Sequence, residues 1–414
     1  MQTLAIHIDQ LSREIEELAG FSDAPAPAVT RILFTPSDLA ARTYLMERMR
    51  AAGLSVRVDA VGNIFARWEG SEPSLPAVGT GSHTDAIPHS GRYDGVVGVL
   101  GGLEAIRALQ RAGYRPRRSI ELLMFTSEEP TRFGLGCLGS RLLSGLLSAE
   151  TAAGLVDGEG VTLEAARAAA GMTGELASVR LPEGYYGAFV ELHIEQMPTL
   201  EADGIAIGAV TAIAAPAAVR VTLKGAGGHA GATLMPGRRD ALLAAAEIAL
   251  AVEAAALESG SPDAVATTGV CRVHPGAVNS IPSRVELEID IRDITLASHD
   301  GMVERVRAAM REVGERRGVA SSVELINADP PATCDPRIVE TIVEVCAAAG
   351  LSCRRMVSRA YHDSLFMARI CPTAMIFIPC YKGYSHRPDE YASPEAIAAG
   401  TRVLAETLAR LSAA

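Results

Sequence analysis

Strand-like and helix-like patterns alternate along this chain from Pro36 onward, and the strand patterns run out at ionisable residues. Residues 39–53 read as a helix closed by Gly53, and 54–59 and 63–68 as strands around a Val61-Gly62-Asn63 turn. Residues 77–81 form a short apolar strand ending at Ser82-His83. Residues 96–112 are helical, with Leu100, Leu103, Ile106 and Leu109 at helical spacing. Strands follow at 119–125, ending at Ser127-Glu128-Glu129, at 188–192, ending at His193, and at 373–378, with His386 one loop further on. Such alternation implies an α/β domain with a mostly parallel sheet. Ligands of such sheets bind beyond the C-terminal ends of the strands, where each of these ionisable clusters sits.

The middle of the chain obeys a different rule. Val285, Leu287, Ile289 and Ile291 fall on one strand face, and Glu286, Glu288, Asp290 and Arg292 on the other. Residues 219–224 alternate in the same way. This is the pattern of a half-buried sheet, and the amphipathic stretches 239–257 and 302–315 can cover its apolar side. A chain of 414 residues exceeds what one compact core organises. We therefore expect a catalytic domain from 1–212 and 330–414, interrupted by an inserted α+β domain at 213–329.

Composition narrows the function classes. The formal net charge is −11 and no Lys/Arg block stands out, which argues against nucleic acid and anionic membranes as partners. Apolar runs are too short and broken to span a bilayer. Residues 1–20 are amphipathic, carry Glu14, Glu16 and Glu17, and lack the plan of a signal peptide. Seven cysteines lie scattered without a CxxC pair, the usage of reduced thiols in a cytoplasmic protein. Aromatic residues make up only 4%, so Ala, Leu, Val and Ile must fill the cores.

The chemistry lies at the strand ends. In Ser82-His83-Thr84-Asp85 an imidazole precedes a carboxylate by two residues, so Asp85 can hold the ring nitrogen turned away from a metal. Asp94, followed by Gly95, can sit in a tight turn and bridge two cations. Of the adjacent acids Glu128 and Glu129, one can ligate while the other holds a water. His193 and His386 complete a set sufficient for two cations sharing one carboxylate. Nitrogen and oxygen donors without sulfur suit Zn²⁺, Mn²⁺, Ni²⁺ or Co²⁺. Any one of these residues alone reads more readily as a solvated loop or a hydrogen-bonded core residue, and the argument rests on the set. His7, His89 and His299 lack such context and read as surface residues. Gly225-Ala226-Gly227-Gly228-His229 reads as a turn after a strand rather than a phosphate-cradling loop.

Four stretches carry a resemblance: Phe125-Thr126-Ser127-Glu128-Glu129-Pro130-Thr131-Arg132-Phe133-Gly134, Thr211-Ala212-Ile213-Ala214-Ala215-Pro216, residues 358–369 around Ala360-Tyr361-His362-Asp363-Ser364, and residues 378–386 ending in Tyr384-Ser385-His386. From about Thr35 onward the chain resembles the M20 metallopeptidase-like amidases. It is most similar to the branch that includes allantoate amidohydrolases, N-carbamoyl-L-amino-acid hydrolases and β-ureidopropionases. Carbamoylases and allantoate enzymes typically carry Glu-Gly-Ser-Arg-Phe where this chain has Glu129-Pro130-Thr131-Arg132-Phe133, and Ala-Gly-His-Asp-Ala where it has Ala360-Tyr361-His362-Asp363-Ser364. These departures point toward enzymes acting on ureidoglycolate. A third departure is Met197, where the family usually has Gly after the His-Ile-Glu-Gln run, and its side chain can crowd the Gln196 loop.

The resemblance implies a phosphorylase/hydrolase-like catalytic domain with a ferredoxin-like lid and dimerisation domain inserted. It implies one metal held by His83, Asp94 and His193 and a second by Asp94, Glu129 and His386, with Mn²⁺ the expected ion. Glu128 would be the general base and Asp85 the support of His83. Gln196, Asn279, Arg292, Ala360, Tyr361 and His362 would contact the substrate, and His229 would polarise the ureido carbonyl from a partner subunit of a homodimer. The implied reaction is hydrolysis of the terminal amide of a small carboxylate-bearing ureide. The alternatives are an N-carbamoyl-L-amino-acid hydrolase, an allantoate amidohydrolase and a non-catalytic ureide-binding dimer.

Overall fold

The computed structural model describes residues 4–414. The chain divides into two compact units. One comprises the chain up to Thr211, Cys334–Ser358 and His362–Ala414; the other comprises Ala212–Thr333 and Arg359–Tyr361.

The first unit is built on a mixed sheet. Its strands run in the order Ile207–Ile213, Thr373–Ile378, Tyr186–Ile194, Ala77–His83, Ile120–Phe125, Ile64–Trp68 and Ser55–Val58. The four from Thr373–Ile378 to Ile120–Phe125 are mutually parallel, and their outer neighbours are antiparallel. Three of the four parallel strands are buried at every position. Helices cover both faces of such a sheet, which is why Ile120–Phe125 and Thr373–Ile378 are apolar at most positions without alternation. On one face lies the helix Val96–Arg111. A Cβ on Gly98 would stand 2.4 Å from the Leu192 carbonyl oxygen, and one on Gly102 would stand 2.7 Å from Leu122. The glycines in this helix therefore let its backbone approach the strands closely. The C-terminal helix Pro394–Ala413 starts on a Ser393 cap, with a proline in its first turn.

Register decides where the chemistry falls. His83 pairs with Phe125, Phe377 with His193, and Thr80 with Val190. The parallel strands therefore finish nearly level, and their following loops emerge along one edge.

The second unit is a four-stranded antiparallel sheet ordered Val265–His274, Arg284–Asp293, Ala215–Lys224, Ala320–Ala328. The helices Ala241–Leu257 and Leu296–Arg317 complete a βαββαβ chain order, the ferredoxin-like arrangement. Alternation works as the sequence implies. Val285, Leu287, Ile289 and Ile291 join Val219, Val221 and Leu223 in one core with residues of both helices. Arg292 lies on the opposite, partly exposed face.

One expectation is overturned. His299 is buried, with Nδ1 3.0 Å from the Asp300 carboxylate. Its helix begins at Leu296, a turn and a half earlier than the apolar spacing indicated, and so carries His299 into the packed face. His7 and His89 are exposed as expected. Among the described residues no helix is long and apolar enough to cross a membrane.

Candidate metal centre

Strand ends and loops at one edge of the first unit's sheet bring the ionisable groups together. His83 is the last residue of its strand and His193 the penultimate residue of the neighbouring one. Glu128 and Glu129 follow Phe125 after a left-handed turn at Ser127, φ +53°. Asp94 stands just before the helix Val96–Arg111. Its neighbour Gly95 has φ +65°, and a Cβ there would lie 2.5 Å from the His83 ring. A side chain at that position would both strain the turn and displace a candidate ligand. His386 comes from the loop after Thr373–Ile378, itself at φ +59°.

The Asp94 carboxylate is the shared element. Its Oδ1 lies 3.1 Å from His193 Nε2 and 3.6 Å from His83 Nε2. Its Oδ2 lies 3.3 Å from His386 Nε2, and that same nitrogen is 3.0 Å from Glu129 Oε1. His83–Asp94–His193 and Asp94–Glu129–His386 thus form two donor groups with one member in common. Glu128 Oε2 stands 3.7 Å from His83 Nε2 and belongs to neither group.

The donor chemistry fits cations. His193 Nδ1 lies 2.9 Å from the Ile194 carbonyl oxygen and His83 Nδ1 3.1 Å from that of Asp85. A carbonyl only accepts, so each Nδ1 carries the proton and each Nε2 presents a lone pair. Those lone pairs face carboxylate oxygens, acceptor against acceptor, although the Gly95 N–H also reaches His193 Nε2 at 3.1 Å. A proton or a cation must separate such groups. The electrostatics show the same demand. Burial pulls the His83 imidazole down, but Glu128, Asp85 and Asp94 outweigh it and hold it well above its ordinary value. Asp94 and Glu129 push His386 up to about 11. Burial, reinforced by Glu129, raises Glu128 well above the carboxylate range against the pull of His83. A bound divalent ion replaces these protons as the source of positive charge.

Asp85 departs from its expected part. Its Oδ1 is 3.6 Å from His83 Nδ1, beyond hydrogen-bond reach, and the ring is held by the Asp85 backbone oxygen instead. The carboxylate accepts from the Glu128 and Glu129 backbone N–H groups at 3.2 and 3.0 Å. Asp85 therefore ties the His83 loop to the loop bearing both acids.

The sequence profile of Peptidase family M20/M25/M40 matches residues 79–410. The ureidoglycolate hydrolase of Arabidopsis thaliana is 55% identical over 99% of this chain and 88% of that protein. That of Oryza sativa subsp. japonica is 57% identical over 98% and 84%. The solved structure of AtUAH in complex with glyoxylate aligns with a TM-score of 0.90 at 55% identity, covering 99% of both chains. The chain belongs to the M20 family. As an M20 member it is a metal-dependent hydrolase acting on amide bonds, and the cluster just described is its candidate metal site.

The remaining candidates of this M20 chain are distributed unevenly. Gln196, at φ +57°, donates from Nε2 to Asp94 Oδ2 at 2.8 Å, so it supports the shared carboxylate. The backbone at Met197 passes close to Gly383, where a Cβ would lie 2.5 Å from the Met197 carbonyl carbon. His362 is buried, 3.0 Å from Ser358 Oγ, with its ring packed on His193 at 4.6 Å between centroids. Ala360 and Tyr361 belong to the second unit.

Within that second unit, His229 and Asn279 are neighbours. The two-residue strand Gly228–His229 pairs with Ser280–Ile281, and Ala230 N donates to Asn279 O at 2.8 Å. Arg292 is elsewhere. Its strand starts at Arg284, beside Lys224 and the His229 turn, and Arg292 pairs with Pro216 at the far end. Eight residues of strand span roughly 26 Å at about 3.3 Å each. Asn279 and Arg292 of one chain, both expected to contact the substrate, therefore cannot hold one small carboxylate together. Arg292 also has a partner of its own, Asp290 at 2.7 Å, and reaches the Arg359 carbonyl at 3.4 Å.

Sequence reasoning missed Ser385, Glu390, Cys137 and Asp363. Ser385 Oγ donates to Asp94 Oδ2, and Glu390 accepts from the Asp94 backbone. Cys137 Sγ lies 3.6 Å from Glu128 Oε1, and the buried Asp363 accepts from Ser140 Oγ at 2.5 Å. Ser385, Glu390 and Asp363 gain meaning only from partners distant in sequence, and Cys137 only from the loop that folds it back onto Glu128, so no local pattern marks them.

Glu129→Ala removes an oxygen from only one donor group. Elemental analysis of the purified variant is expected to show loss of roughly half the bound divalent metal. Full metal content would mean that Glu129 is no ligand.

Proposed function

We propose that this protein hydrolyses the terminal ureido amide of ureidoglycolate, with two divalent cations per subunit and Mn²⁺ the preferred ion. The observation that carries the reading is the split of Asp94, one oxygen toward His83 and His193 and the other toward His386. It occurs in a chain more than half identical to ureidoglycolate hydrolases. When bound, the cations polarise the ureido carbonyl and acidify the attacking water.

The protein's own groups do the rest. Glu128 stands beside the donor groups without joining them, buried and with Oε2 3.7 Å from His83 Nε2, and takes the proton of the water. It then delivers that proton to the departing nitrogen. A C–O bond forms, the terminal C–N bond breaks, and ammonia leaves. The carbamate that remains collapses, giving carbon dioxide and, after loss of its second nitrogen as ammonia, glyoxylate. His229 supplies a fixed dipole to the developing oxyanion. Arg292 receives the substrate carboxylate through a two-pronged guanidinium contact, giving up Asp290 to do so. Gln196, Ala360, Tyr361 and His362 shape the remaining contacts.

We further propose a homodimer in which His229 and Asn279 serve the metal site of the other copy, while Arg292 serves its own. The strand-length separation of these residues within one chain supports this assignment. So do the open edges of the second unit's sheet, where Ala320–Ala328 is exposed at nearly every residue.

Glu128→Gln is expected to abolish turnover and leave metal content unchanged, since an amide cannot take up the water's proton. If the variant instead lost its metal, Glu128 would be a ligand and not the base. Mixing inactive Glu128→Gln with inactive His229→Ala under subunit exchange is expected to restore about a quarter of wild-type activity. Half of the dimers are then hybrids with one intact site each. No recovery in demonstrably exchanged dimers would put His229 in its own chain's site. Arg292→Ala is expected to cost about 2 kcal/mol in kcat/KM for ureidoglycolate, the low end for removing one partner of a charge pair, because Asp290 is already its neighbour. A ureide without a carboxylate should show no such loss. Equal losses on both substrates would remove Arg292 from carboxylate recognition.

A further inference from the structure

The structure assigns a positioning role to Glu390: it fixes the shared carboxylate of Asp94 in the orientation that serves both donor groups. This rests on the reading of the cluster as a metal centre.

A carboxylate that bridges must be held against two rotations, of its backbone and of its own plane. Glu390 acts on both. Its Oε1 accepts from Tyr93 N at 2.7 Å and from Asp94 N at 3.0 Å, gripping the backbone that carries the bridge. Its Oε2 stands 3.1 Å from Ser385 Oγ, and that hydroxyl in turn contacts Asp94 Oδ2. Gln196 Nε2 reaches the same Oδ2 at 2.8 Å and Ser385 Oγ at 3.2 Å. The oxygen facing His386 is therefore fixed by two donors, which leaves Oδ1 directed at His83 and His193.

Two further observations show a built arrangement. Glu390 is only 4% exposed although it lies in a loop whose neighbours Arg387, Pro388, Asp389 and Tyr391 are exposed. Its place is opened by Gly91, where a Cβ would stand 2.4 Å from the Glu390 side chain. A carboxyl drawn out of water in this way needs its hydrogen bonds: Oε1 accepts two from backbone N–H groups, and Oε2 lies beside the Ser385 hydroxyl. The segment that supplies the ligand His386 thus also supplies, four residues later, the group that aligns the bridge.

The Ser385 hydroxyl has one proton and stands between two carboxyl groups. A glutamine at 390 keeps an oxygen for the two backbone N–H groups and offers Nε2 to Ser385 Oγ. Glu390→Gln should therefore preserve the arrangement, whereas Glu390→Ala should release it. Supports of this kind typically change metal affinity by about 10–100-fold.

The test is calorimetric titration of Mn²⁺ into the metal-free, full-length protein and its variants, with thermal melting of each metal-free form alongside. Wild type is expected to bind Mn²⁺, Glu390→Gln to bind within about threefold of it, and Glu390→Ala to bind about 10–100-fold more weakly. Ser385→Ala, a smaller change that serves if Glu390→Ala does not fold, should weaken binding in the same direction. Wild-type affinity in a folded Glu390→Ala, or in Ser385→Ala when Glu390→Ala does not fold, overturns the positioning role and leaves the metal centre intact. So does a Glu390→Gln variant as weak as Glu390→Ala. A wild-type protein that binds no Mn²⁺, Zn²⁺, Ni²⁺ or Co²⁺ overturns the metal centre itself, and the inference with it.

Discussion

One carboxylate, that of Asp94, has to satisfy three imidazoles on two sides, and the surrounding structure is arranged to let it. The side chain is almost fully buried, where an isolated charge is costly. Burial alone would raise it, yet His193, His386 and His83 hold it well below the ordinary carboxylate range. Those imidazoles come from three separate strands or their following loops. The charge of Asp94 is thus stabilised only in a fold that finishes its parallel strands at one level.

The same crowding explains why the acids beside it behave differently. Glu128 and Glu129 are adjacent in sequence and both buried, but only Glu129 faces His386. Glu128 is turned toward His83, with Cys137 behind it. The Asp85 carboxylate accepts from the backbone N–H of both. It thereby fixes the direction in which each side chain leaves the loop, and one pair of neighbouring residues acquires two roles. Removing such a partner from a buried, charged network leaves its neighbours uncompensated, and Asp94, common to both donor groups, is where that loss reaches furthest.

The second unit follows a separate logic. Its core is a plain alternation of apolar and polar residues in antiparallel strands, closed by two helices. The residues proposed to meet the substrate stand at opposite ends of that sheet, with His229 and Asn279 at one end and Arg292 at the other. A rigid strand roughly 26 Å long cannot bring its two ends to one small molecule, and this is the physical ground of the proposal that they serve different active sites of a dimer.

The sequence by itself determined the two kinds of sheet. Continuous apolar runs require burial on both faces, and strict alternation requires burial on one. It also determined the candidate ligands, because strands of a parallel sheet deliver their C-terminal ends to one edge, and His83, Glu129, His193 and His386 stand at or just beyond such ends. Tertiary structure alone decided what joins residues far apart in the chain, such as Glu390 on the Asp94 backbone and Gln196 on the shared carboxylate, and it alone folded Cys137 back against Glu128 and put His299 in a core rather than on a surface. The reason lies in the range of the forces involved. Periodicity records which face of an element avoids water, a local property written into neighbouring residues. Which carboxyl meets which hydroxyl or amide depends on register and loop path across nearly the whole chain, and these are fixed only when the elements pack.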